Sequence, residues 1–118
     1  MDAKKKNPVV FVITPFTEEH LELYDTLKNE FKGLYEFVNA GDTGNVQNIL
    51  KDIIQPIYDA DIILADLTGL NSNVMYELGI AHTMNKKTIM ITQDDLDGLP
   101  FDLKQYRTQH YTTHFTGF

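Results

Sequence analysis

The stretch DIILADLTGLNSNVMYELGIAHTMNKKTIMIT, residues 61–92, reads as one strand–helix–strand unit. DIILAD (61–66) and KTIMIT (87–92) are short aliphatic, β-rich runs of strand length. Between them, NSNVMYELGIAHTMN (71–85) opens on three polar residues that can each cap a helix, and Val74, Leu78 and Ala81 then fall on one face. Two strands joined by a helix of about a dozen residues argue for parallel pairing through a right-handed crossover.

The same alternation continues on both sides. PVVFVIT (8–14) is an apolar run without polar alternation, the pattern of a strand buried on both faces, and Pro15 ends it. A helix follows, with Thr17 as N-cap, Glu18 and Glu19 in its first turn, a stripe of Leu21, Tyr24, Leu27 and Phe31, and Gly33 to terminate it. YEFVNA (35–40) is a second strand and GDTG (41–44) a turn. NVQNILKDIIQPIYDA (45–60) is a helix with Ile49, Ile53, Ile54 and Ile57 inward, and Pro56 is expected to kink or end its last turn. Beyond KTIMIT, a loop with Gly98 and Pro100 leads to a fifth strand in QHYTTHF (109–115). The chain should therefore be an α/β three-layer sandwich, with a parallel flavodoxin-like or Rossmann-like sheet of about five strands in the order 2-1-3-4-5.

At 118 residues and 42% hydrophobic content, one domain over residues 8–118 is expected, behind a disordered basic tail at 1–7 that holds Lys4, Lys5 and Lys6. The abrupt end at THFTGF is compatible with a domain cut from a longer protein. No run reaches the roughly 20 apolar residues of a membrane span, and the N-terminus has no apolar signal region, so a cytoplasmic protein is expected. With no cysteine, thiolate chemistry and disulfides are excluded, and a net charge of −7 disfavours direct nucleic-acid binding. No metal site is expected: His110 and His114 have zinc-like spacing but no second ligand pair. There is no P-loop, and Gly41 with Gly44 makes no dinucleotide fingerprint.

In an open parallel sheet, ligands bind beyond the carboxyl ends of the strands where strand order reverses. Those ends are Thr14-Pro15-Phe16, Asn39 to Asp42, Asp66-Leu67-Thr68 and Thr92 to Asp94. Asp61 and Asp66 flank one strand and lie roughly 16 Å apart, so Asp66 faces the site while Asp61 serves the closed end. Glu77 sits one to two turns into the helix that leaves Asp66. A capping box does not explain it, because Val74 stands where Ser or Thr is needed. It flanks the buried stripe beside Asn73, and it complements the positive helix end. The residues alone leave Glu77 divided between a surface charge and a reagent.

VFVITPF (10–16) and ADIILADLTGLNSNVMYELGIAH (60–82) resemble the nucleoside 2-deoxyribosyltransferase-like superfamily, most closely its TIR-like branch of predicted nucleotide-binding proteins. The resemblance covers most of the chain. It implies that Glu77 is the nucleophile of an N-glycosidase or glycosyl transferase acting on a nucleoside, nucleotide or NAD without a cofactor. Asp66 would bind sugar hydroxyls or assist proton transfer. Asn73 would hold the ribose or Glu77, the Thr14-Pro15-Phe16 turn would wall the base, and Thr68 and Asp42 complete the substrate-binding set. Hydrolysis and transfer both follow from one glycosyl-ester chemistry. The resemblance also implies a homodimer or higher homo-oligomer. Two departures stand out: Thr14 replaces the family's glycine before the PF pair, and Ile53, next to Asp52, takes the place of a second carboxylate. The competing reading is a non-catalytic nucleotide-sensing module of a larger, defence-related protein.

Overall fold

The computed structural model describes residues 6–40, 50–99 and 107–113. Strand β1 (Val9–Ile13), helix α1 (Glu18–Glu30), β2 (Glu36–Val38), helix α2 (Gln55–Asp59), β3 (Ile62–Asp66), α3 (Ser72–Thr83), β4 (Thr88–Thr92) and β5 (Thr108–His110) follow in chain order. The five strands form one parallel sheet in the order β2-β1-β3-β4-β5, the order read from the sequence. The reversal lies between β1 and β3, paired from Val10↔Ile62 to Ile13↔Ala65. Their carboxyl ends, Thr14 and Asp66, therefore open side by side.

Alternate residues of β1 feed two cores, as the period of a strand requires. Phe11 and Ile13 enter the larger core with Ile53, Ile57, Ile63, Leu67, Val74, Leu78, Ala81 and Met90, under α2 and α3. Val10 and Val12 join Tyr24 of α1 in a smaller one. Asp61 behaves as expected of the closed end, its carboxylate accepting from the Val9 N–H at 2.8 Å and so tying β1 to the start of β3.

Three local expectations are corrected. The α1 stripe of Leu21, Tyr24, Leu27 and Phe31 holds only at Tyr24, since Leu21 and Phe31 are about 40% exposed and Leu27 is half-buried. The innermost position beside Tyr24 is instead His20, one turn earlier, drawn in by partners on β3 and at the helix start. Pro56 does not end its helix. A π-helical turn, Leu50–Ile54, precedes it, and the α-helix runs on through it to Asp59 with the proline in its first turn, where the missing N–H is tolerated. Ile54 is only half-buried, Ile53 and Ile57 holding the inward face. The fifth strand is confined to Thr108–His110. Residues 114 and 115 of the expected strand, Ile49, and tail residues 1–5 lie outside the described residues.

Candidate active site

Helix α1 starts three residues past Pro15 because Thr17, extended at φ −81° and ψ 160°, turns its hydroxyl onto the His20 N–H at 3.2 Å. Helix α3 starts the same way: the Asn71 side chain accepts from the Asn73 and Val74 N–H groups at 2.9 and 3.1 Å. The chain reaches Asn71 through a short 3-10 turn, Thr68–Leu70. There Gly69 and Leu70 adopt positive φ values of 76° and 48°, and the Gly69 N–H is tied to Asp94 at 2.7 Å. This loop and the Thr14-Pro15-Phe16 turn face each other across the β1/β3 carboxyl ends.

Between them lies a cavity of about 680 Å³, within the range of small-molecule sites. Thr14, Pro15, Phe16 and Thr17 line one side, Asn71, Asn73, Val74, Tyr76 and Glu77 the other, and Ala40 and Ile53 complete the described part of the wall. Phe16 and Tyr76, both more than half exposed, stand at the opening. Glu77 is half-buried in this wall, and desolvation pushes its carboxyl up from 4.5 to about 7. A carboxylate raised by desolvation, with no Lys or Arg among the described residues of its cleft, is the environment of a reacting acid or nucleophile.

The expected site residues divide into two layers. Glu77, Asn73, Thr14, Pro15 and Phe16 line the cavity together. Asp66 and Thr68 are brought to the same strand ends but are not among the lining residues. Asp66 is 2% exposed, and both its oxygens are taken. Oδ1 accepts from the Thr68 N–H at 3.0 Å and the Thr68 hydroxyl at 2.6 Å; Oδ2 accepts from the Tyr111 phenol and faces His20 Nε2 at 3.4 Å. Thr68 in turn accepts from the Gln93 N–H at 2.9 Å, and the Gln93 side chain donates to the Tyr111 oxygen at 3.2 Å. The Tyr111 phenol is raised further above its ordinary value, by burial first and then by the hydrogen bond and charge of Asp66. Asp42 lies outside the described residues.

Sequence reasoning missed Thr17, Asn71 and Tyr76 on the wall, and His20 and Tyr111 behind it. The caps were legible as local signals. The contacts of Asp66 with residues 46 positions earlier and 45 positions later have no local signature. Among the described residues no cluster of three or more His, Asp or Glu side chains is arranged to hold a metal ion, and no helix is long and apolar enough to cross a membrane.

The sequence matches no protein-family model, and no curated protein aligns with it significantly. Solved structures do match. A 2-deoxyribosyltransferase from Leishmania mexicana superposes with a TM-score of 0.64 at 19% identity, over 84% of this chain and 71% of that one. A 2-deoxyribosyltransferase from the psychrotolerant bacterium Bacillus psychrosaccharolyticus gives a TM-score of 0.65 at 14% identity, over 88% of this chain and 85% of that one. The chain has a nucleoside 2-deoxyribosyltransferase-like fold.

Proposed function

We propose that the protein is an N-glycosidase or glycosyl transferase that cleaves the N-glycosidic bond of an uncharged nucleoside, with Glu77 as nucleophile. The observation that carries this is Glu77 itself: a half-buried carboxylate, raised to about 7, in the wall of a sugar-and-base-sized cavity in this fold. The ionised Glu77 oxygen bonds to C1′ as the C1′–N bond breaks, and the bond's electron pair leaves with the base. Water, or the nitrogen of a second base, then attacks C1′, and the ester electrons return to Glu77. Asn73 and Phe16, both on the cavity wall, would hold the sugar and face the base respectively.

The cavity favours a nucleoside over a nucleotide or NAD. None of the described lining residues is Lys or Arg, and segment 41–49, which follows the lining residue Ala40, contains neither. Both helix N-termini at the cavity spend N–H groups on their own caps, at His20 and at Asn73 and Val74. A phosphate would therefore meet few free donors beside an acidic residue. The protein should be cytoplasmic, where its substrate is. A second copy of the chain is proposed to close the open side, and light scattering showing only monomer at micromolar concentration would remove that clause.

The deciding experiment incubates the protein with ribo- and deoxyribonucleosides, their 5′-monophosphates and NAD, and separates the products by chromatography. Base release from nucleosides, absent in Glu77→Gln, is expected. Preferential cleavage of the phosphorylated substrates would overturn the choice of nucleoside. Tight binding with no base release from any of them would favour the sensing module.

A further inference from the structure

His20 is buried on α1 beside Tyr24, is 6% exposed, and plays no part in the attack of Glu77 on C1′. An imidazole is an expensive group to bury, so its neighbours matter. Nδ1 lies 2.7 Å from the Thr17 hydroxyl. Nε2 is shielded from solvent and has no aligned hydrogen-bond partner, yet faces Asp66 Oδ2 at 3.4 Å. Hydroxyl, imidazole and buried carboxylate thus stand in line, and the hydroxyl end, Thr17, belongs to the cavity wall next to Phe16. Asp66 is itself held by Thr68 and Tyr111, which fixes its orientation toward His20.

We propose that Thr17, His20 and Asp66 form a proton relay to the departing base, with Thr17 the group that touches the substrate and His20 and Asp66 positioning residues behind it. The inference rests on the glycosidase reading and supplies what that reading lacks. The base leaves with an electron pair on nitrogen, and a neutral base requires a proton there. Glu77 is occupied at C1′, and Tyr76, the other described lining residue with a titratable proton, stands at the exposed rim.

In the relay, the Thr17 Oγ proton passes to the base nitrogen as the Nδ1 proton of a His20 imidazolium passes to Oγ. The imidazole left behind keeps its Nε2 proton toward Asp66, which orients the ring. The water that resolves the glycosyl ester gives up one proton, which returns through Thr17 to Nδ1. Its hydroxyl goes to C1′, and Glu77 departs as carboxylate. The enzyme ends as it began.

A general acid matters in proportion to the basicity of the leaving group, which separates this role from a purely structural one. The test compares wild type, Thr17→Ser, Thr17→Val and His20→Gln on a series of nucleosides of graded base acidity: purines with their N7-methylated forms, and uridine with its 5-fluoro and 5-nitro derivatives. An N7-methylated purine departs neutral without a proton. Gln at position 20 can still donate to Asp66 but carries no transferable proton to Thr17. The expected result is a loss of about 100-fold or more in kcat for Thr17→Val and His20→Gln on the most basic leaving group, shrinking to below about 5-fold on the most acidic or N7-methylated one, with Thr17→Ser close to wild type throughout. Equal losses across the series, or none, overturn the relay and leave the glycosidase reading standing. Wild type that releases no base from any nucleoside overturns both. Thermal unfolding of each variant identifies loss of fold, since removal of the Thr17 cap in Thr17→Val affects every substrate alike.

Discussion

Glu77→Gln should make the protein more stable at alkaline pH while abolishing its activity. In the unfolded chain this carboxyl ionises near 4.5, and in the folded protein desolvation delays ionisation to about 7. Between those values the folded state holds a proton that the unfolded state has released. Raising the pH therefore draws the equilibrium toward unfolding, and the stability lost on the way is not regained above 7. At ~1.36 kcal/mol per pH unit the displacement has a ceiling of about 3.4 kcal/mol. Because Glu77 is only half-buried, solvent screening reduces the usable figure to roughly 1–2 kcal/mol. Glutamine has the shape of the protonated acid and never ionises, so the variant should match wild type at pH 4 and exceed it by about that amount at pH 8. Urea denaturation of both proteins at a series of pH values reads this difference directly, and titrations elsewhere in the chain cancel. A difference that does not change with pH, or a variant less stable than wild type at pH 8, would refute the claim that Glu77 is desolvated in the wall of the cavity.

Two further outcomes follow from the same geometry. Since the nucleophile must be ionised, kcat/KM should rise close to tenfold per unit as the pH climbs from 5 toward about 7; a rate independent of pH over that range would detach catalysis from Glu77. Tyr111→Phe removes one donor to buried Asp66 and the acceptor of the Gln93 side chain, and should cost about 1–3 kcal/mol in urea denaturation, whereas a loss below about 0.5 kcal/mol would show that Asp66 does not depend on the phenol.

The strand–helix–strand block at 61–92 carried most of what the sequence reveals, because its signals are local. An aliphatic run, a cap, a helical stripe and a second run each specify their own geometry, and parallel pairing follows from their succession. Glu77 reached the cavity wall for the same reason, its position on α3 being fixed by Asn71 and by the buried face of Val74, Leu78 and Ala81. The phase of α1 was misread because a histidine took the place that hydrophobicity assigned to leucine, and what holds it there is a carboxylate 46 residues away. Asp66 was placed at the right strand end but not at the right depth, since it is held by a tyrosine just past the last strand. The π turn before Pro56 is likewise a compromise between a helical pattern and a missing N–H, which composition registers only as a break.

The two outer strands, β2 and β5, are three residues each, with Glu36 exposed on one and Gln109 and His110 on the other. Such short margins leave few unsatisfied backbone donors and acceptors for a visiting chain to copy, and a charged side chain at the border repels an identical neighbour. Lateral growth of the sheet into fibrils or swapped assemblies is thereby discouraged at both borders. Association between copies is then expected through side chains rather than through strand pairing, and should respond to single surface substitutions.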